Sequence, residues 1–203
     1  MLLLVGLGNP GLRYVRQRHN VGFMALDAIA AAHGFGGWRS KFASLATEGE
    51  IGGAKALLLK PQTYMNRSGF AVAQAAQFYK LAPDEIVAFH DELDLAPGKV
   101  RIKTGGGVAG HNGLRSLAEQ LGTRDFRRVR IGIGHPGHKE RVLGHVLADF
   151  AADDRLWLAP LLEALSEAAP LIARGDDAGA MNRIALLMRP KDEPGRPVSA
   201  GTA

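Results

Sequence analysis

Short apolar runs alternate with longer amphipathic stretches through the first 150 residues of the chain. LLLVGL predicts a strand, NVGFMALDAIAAAHG an amphipathic helix ended by Gly34, and AKALLLKP a strand stopped by Pro61. SGFAVAQAAQFYKL repeats the helical spacing, and EIVAFHDEL is an apolar strand whose end carries polar residues. GKVRIKTG and FRRVRIGIG alternate with period two around the helix predicted for HNGLRSLAEQLG. Strand–helix alternation of this kind predicts an α/β fold, a three-layer α/β/α domain with a mixed, mostly parallel central sheet covered on both faces. Two further helical patterns over 153–188 are split near Gly175–Gly179. RPKDEPGRPVSAGTA lacks any period and has few apolar residues, so 1–188 reads as one domain and 189–203 as a disordered tail.

Composition narrows the function classes. At 203 residues, 46% hydrophobic and 22% charged, the chain is long enough for one well-buried core. No apolar run nears the length of a bilayer span, so no membrane role is expected. MLLLVG lacks the basic lead and cleavage site of a secretory signal and reads as the first buried strand. The absence of cysteine excludes disulfides and thiolate metal sites and fits a cytoplasmic protein. A net charge of +5 is a mild bias toward polyanionic partners.

Gly6-x-Gly8-x-x-Gly11, straight after the first strand, has the spacing of a dinucleotide-binding turn. Such a turn works when a helix begins at it, so that N–H groups and dipole meet the pyrophosphate. Here Gly11 is followed by LRYVRQRH, without a helical stripe, and the helix pattern starts only near Asn20. The acidic residue expected about 20 positions on is also missing. The glycines therefore shape a tight exit from the strand, which leaves Asn9, His19 and Asn20 to be explained.

Polar groups recur wherever a strand ends. Tyr64 and Asn66 lie between a strand and a helix, where Asn66 or Ser68 is able to cap the helix. His90, Asp91, Glu92 and Asp94 close another strand, and a glycine-rich loop leads to His111 and Asn112. Strand ends of one sheet share a crevice, so a single polar pocket is expected there. Its chemistry is narrow. There is no cysteine, no serine in a nucleophile elbow, and no metal-binding histidine spacing; His135 and His138 straddle Pro136 and Gly137. A histidine, a carboxylate partner and several carboxamides remain. The carboxylate fixes the imidazole tautomer, which makes His19 a general base toward water. Asparagine donors suit an acyl oxygen as it becomes an oxyanion. The set points to hydrolysis of an activated acyl group without a covalent intermediate.

GLGNPGxxYxxxRHNVG, KPQTYMNxSG, HDELDLxxGxxRxKxGGGxxGHNGLxS and RxRxGIGHPG together resemble the bacterial peptidyl-tRNA hydrolase family, from Leu4 to about Phe150. The resemblance implies a monomeric, cytoplasmic α/β hydrolase that needs no metal or other cofactor and no obligate protein partner. Its substrate is peptidyl-tRNA, cleaved at the ester to the 3′-terminal ribose. His19 is then the base, Asp91 its orienting partner, and Asn9 the group that positions the scissile end and favours N-blocked aminoacyl esters. Asn66 and Asn112 bind the peptide main chain or the tRNA end, and Tyr14 and Tyr64 line the same crevice. Gln17 stands where the family usually has threonine, and Val108-Ala109 where His-Gly is common.

The alternating basic strands gain a role from that resemblance. Arg101 and Lys103 share one face of KVRIK, and Arg128 and Arg130 one face of RRVRIGI. Such pairs suit phosphate, which positions a nucleic acid without reading its sequence. Lys103 and Arg130 correspond to a clamp for the acceptor end of tRNA. A catalytically inactive RNA-binding protein on the same fold is the alternative; loss of His19, Asp91 or Asn112 would favour it, and all three are present. A hydrolase of small N-acylated esters is a third reading.

Overall fold

A computed structural model describes residues 1–189; apart from Arg189, the tail expected to be disordered lies outside them. Thirteen regular elements follow in chain order: β1 (Leu2–Gly6), α1 (Val21–Ala32), β2 (Arg39–Lys41), β3 (Ser44–Ile51), β4 (Ala54–Pro61), α2 (Ser68–Tyr79), β5 (Ile86–Glu92), β6 (Val100–Thr104), α3 (Asn112–Leu121), β7 (Arg127–Gly132), α4 (Val142–Leu147), α5 (Arg155–Ala173) and α6 (Asp177–Leu187). The strands form one sheet in the order β2-β3-β4-β1-β5-β7-β6. β4, β1, β5 and β7 are mutually parallel, and only β3 and β6 run against the rest. The mixed, mostly parallel sheet expected from the sequence is present.

Side chains alternate across each strand, so β1 feeds two cores at once. Leu4 packs with Val87, Phe89, Val129 and Ile131 under α1, α5 and α6. Leu3 and Val5 pack with Leu57, Leu59 and Ala88 under α2 and α3. That explains why LLLV is apolar throughout. Each fully buried leucine contributes about 1.5–3 kcal/mol of transfer free energy. α5 is long and apolar enough to cross a membrane by length and composition, but Leu161, Leu165 and Ile172 are buried in the first core.

Two glycines set where α1 begins. A Cβ on Gly22 would stand 2.3 Å from the Phe89 carbonyl oxygen, and one on Gly6 would stand 2.5 Å from that of Gly22. The first turn of α1 therefore lies directly on β1 and β5. The 3₁₀ turn Arg18–Asn20 that precedes it is held to β5 through His19 and Asp91.

Strand β3 and helix α4 escape the sequence pattern. SLATEGEI offers three apolar residues among polar ones and glycine, and VLGHVL is short, with Gly144 inside it. Neither Asn66 nor Ser68 caps α2. The N–H of Gly69 donates instead to Ser116 Oγ on α3, at 2.9 Å.

Candidate active site

The carboxyl ends of β1, β4 and β5, with the loop before α3, enclose a cavity of about 680 Å³. Asn9 enters it from the exit of β1. Asn20 fixes that exit: its Oδ1 accepts from the Asn9 N–H and its Nδ2 donates to the Asn9 carbonyl, both at 2.9 Å. The side-chain Oδ1 of Asn9 accepts from the Met65 N–H at 2.8 Å. Because a backbone donor occupies the oxygen, Nδ2 is the Asn9 group left for the cavity. It is a neutral donor held in place from three directions.

Asp91, the penultimate residue of β5, also lines the cavity and is only 4% exposed. His19 Nδ1 donates to it, 2.9 Å from each carboxylate oxygen. That leaves Nε2 of His19 with the free lone pair. Burial alone would lower the His19 pKa, but the charge and hydrogen bond of Asp91 outweigh it and raise the pKa above 6.5. Burial pushes Asp91 the other way; the two histidines outweigh that too and hold its carboxyl well below the usual carboxylate range.

The second histidine is His111, whose place in the constellation sequence reasoning missed. It is the N-cap of α3, with Nδ1 accepting from the N–H groups of Gly113 and Leu114 at 3.1 and 3.3 Å. Its proton therefore sits on Nε2, which donates to Asp91 Oδ1 at 3.0 Å. One buried carboxylate thus orders two imidazoles. Asn20 was likewise missed as a support for Asn9. Only its position beside His19 hinted at a role, because a contact with a residue eleven positions back leaves no periodic trace.

Ligand atoms of His19, Asp91 and His111, one from each, lie within 4.8 Å of one another, a grouping able to hold a metal ion. The caps on His111 Nδ1 argue against it. Metal on Nε2 would remove the last ring proton, whereas the hydrogen-bonded form keeps it.

The remaining candidates divide. Tyr64, Asn66 and Asn112 line the cavity; Tyr64 and Asn66 are exposed and Asn112 lies at its edge. Lys103 and Arg130 line it from β6 and β7, and Arg130 Nε donates to Glu92 Oε2 at 2.8 Å. His135 and Lys139 join them there. Tyr14 is not among the lining residues; its hydroxyl bonds to its neighbour Arg13. It lies half-buried at the end of the 3₁₀ turn Leu12–Tyr14. Arg128 is not on a solvated strand face either. It is 1% exposed and directs its guanidinium to backbone carbonyls.

Comparison with known proteins bears on this arrangement directly. The peptidyl-tRNA hydrolase family matches residues 3–193. A peptidyl-tRNA hydrolase of Granulibacter bethesdensis is 61% identical over 187 residues, 92% of this chain and 96% of its own. One from Bradyrhizobium diazoefficiens is 58% identical, with 94% of each chain covered. The chain belongs to the peptidyl-tRNA hydrolase family. The crystal structure of the Acinetobacter baumannii peptidyl-tRNA hydrolase superposes with a TM-score of 0.85 at 42% identity, covering 91% of this chain and 94% of that one. As a member of the family, the chain is a hydrolase.

The departures from the family pattern sit around the constellation. Gln17 pairs with Asp149 in an isolated bridge that closes the turn before His19. Val108 packs against the second core, and Ala109 adopts φ +45°. None of them displaces His19, Asp91 or an asparagine.

Proposed function

We propose that the chain hydrolyses the ester joining a peptide to the 3′-terminal ribose of tRNA by direct attack of water, with His19 as the base. A water at Nε2 of His19 gives its proton to the ring as its oxygen bonds to the ester carbonyl carbon. Asp91 stabilises the imidazolium that forms and keeps Nδ1 facing away from the reaction. Negative charge that develops on the carbonyl oxygen is met by the Asn9 Nδ2 donor, which costs no reorganisation because it is already fixed. When the intermediate collapses, the bond to the ribose oxygen breaks and that oxygen takes the proton back from His19. Free tRNA and a peptide carboxylate result.

Asn66 and Asn112 offer amides along the cavity to the peptide main chain or the tRNA end, and Tyr64 offers an exposed ring. Lys103 and Arg130 bind phosphate of the acceptor end. We assign the reaction to a monomer acting in the cytoplasm without a metal or a protein partner, as the resemblance to the family implies. The single observation that supports the reading is the geometry of His19 Nδ1 on buried Asp91, with Nε2 left to the cavity. The test compares hydrolysis of N-acetylated and free aminoacyl-tRNA. Rapid turnover of the blocked ester is expected, and no turnover of it would overturn the reading; equal turnover of both would remove only the preference for N-blocked esters expected of Asn9.

A further inference from the structure

Arg128 is the second residue of β7, opposite Lys103 of β6 and Ala88 of β5, on the face that carries the second core. A basic residue on an alternating strand is an ordinary candidate for phosphate. This one also lines the cavity, but its two terminal nitrogens are already engaged by backbone carbonyls. Its Nη1 donates to the Gly107 carbonyl at 2.6 Å, and its Nη2 to Gly106 at 3.0 Å and Arg124 at 3.2 Å. The guanidinium also lies over the Phe126 ring, 4.7 Å from its centroid.

Two of those carbonyls belong to the glycine-rich segment between β6 and α3. Gly105, Gly106 and Gly110 have positive φ, so little in the segment's own side chains fixes its path. It is instead fastened at both ends and in the middle. The Gly105 N–H donates to the Phe126 carbonyl at 3.1 Å, Val108 packs against the second core, and the Val108 carbonyl accepts from the His111 N–H at 2.8 Å. From His111 the chain of contacts passes through Nε2 to Asp91, and Asn112 follows at the cavity edge.

We propose that Arg128 is a positioning residue for the hydrolytic site: its planar fork holds the Gly106 and Gly107 carbonyls and thereby sets where His111 meets Asp91 and where Asn112 faces the cavity. This extends the proposed hydrolysis and depends on it for its kinetic consequence. The structural consequence stands apart from activity. A lysine keeps the charge but cannot bridge two carbonyls in one plane, so Arg128→Lys loosens the segment.

The experiment pairs steady-state kinetics of Arg128→Lys and Arg128→Met on N-acetylaminoacyl-tRNA with amide hydrogen exchange. In Arg128→Lys, exchange at the hydrogen-bonded N–H groups of Gly105, His111, Gly113 and Leu114 rises while β1 and β5 remain protected, and kcat falls about ten- to a hundred-fold with KM within about two-fold. Val108→Gly, which releases the same segment from its other side, gives a similar kcat loss that is less than additive with Arg128→Lys. If KM rises instead, with a flatter salt dependence and unchanged kcat, Arg128 is a phosphate contact and the clamp is refuted. If segment exchange does not change in Arg128→Lys, the clamp is refuted whatever the activity. A wild type without hydrolysis would refute the functional reading alone, since the exchange result still decides the clamp. Should Arg128→Met fail to fold, Arg128→Lys and Val108→Gly carry the decision.

Discussion

At one end of the cavity Asp91 is 4% exposed and accepts hydrogen bonds from two histidines, while Asn20 and Met65 fix Asn9. At the other end, Lys103, His135 and Lys139 reach solvent, and Arg130 alone of these has a carboxylate partner among the described residues. The first end exploits short contacts in a low-dielectric setting, where a displacement of about 1 Å can cost a hundred-fold in rate. The second exploits charge in water, where attraction is screened over about 8–10 Å and tolerates imprecise placement. A reaction centre and an anchoring surface for a polyanion need those different conditions. Substitutions at the two ends should therefore fail in different ways.

The largest effect belongs to His19. His19→Ala should lower kcat by about 10²–10⁴-fold, as loss of a general base does, while tRNA binding persists in a filter or anisotropy assay. An active variant would remove the base assignment. Asn9→Ala should follow, with kcat lower by about 10²–10³-fold if Nδ2 serves the oxyanion; a change in KM alone would make it a ground-state contact. At the opposite end, Lys103→Ala and Arg130→Ala should raise KM and leave kcat nearly unchanged. Each should lower the slope of log affinity against log salt by about 0.7–0.9 for every phosphate it no longer neutralises. An unchanged slope would detach these residues from the tRNA.

The smallest effect concerns stability and His90. This ring is 1% exposed, donates from Nδ1 to the Asp91 carbonyl, and leaves Nε2 without a partner among the described residues. Burial, helped by the nearby His111, pushes its pKa down to about 3. Below pH 6.5 the unfolded chain takes up this proton before the folded one does. The contribution is therefore complete above pH 6.5 and declines as pH falls toward 3, by at most about 1.4 kcal/mol per pH unit. His19, with its pKa raised, works in the other window and loses its contribution as pH rises above 6.5. Urea midpoints at pH 7 and 5 should converge in His90→Asn; an unaltered pH dependence would contradict the assignment.

Much of this is legible in the sequence, for reasons that can be named. Continuous apolar runs mark β1, β4 and β5 because these strands are buried on both faces, and His19, Asp91 and Asn9 stand out as polar groups near their ends. The glycines at the exit of β1 are distinguishable from a nucleotide cradle, and Gly6 and Gly22 instead permit close backbone approach of α1. What stays hidden depends on contacts between distant segments. Strand β3 has a mostly polar sequence, α4 is too short to show a period, and His111 gains its place only when α3 docks beside Asp91. Arg128 misleads because period two tells which face a side chain takes, while the glycine-rich segment that covers that face decides whether it meets water.

The pairing of His19 with Asp91 is tested most directly by the pH dependence of kcat/KM on N-acetylaminoacyl-tRNA, in the wild type and Asp91→Asn. The raised pKa of His19 predicts a wild-type rate that increases with pH through an acidic limb centred above 6.5, where the ring becomes neutral and able to accept a proton. Without the carboxylate, burial is left to act alone, so the limb should move to lower pH while the plateau falls. A limb that stays in place in Asp91→Asn would contradict the account.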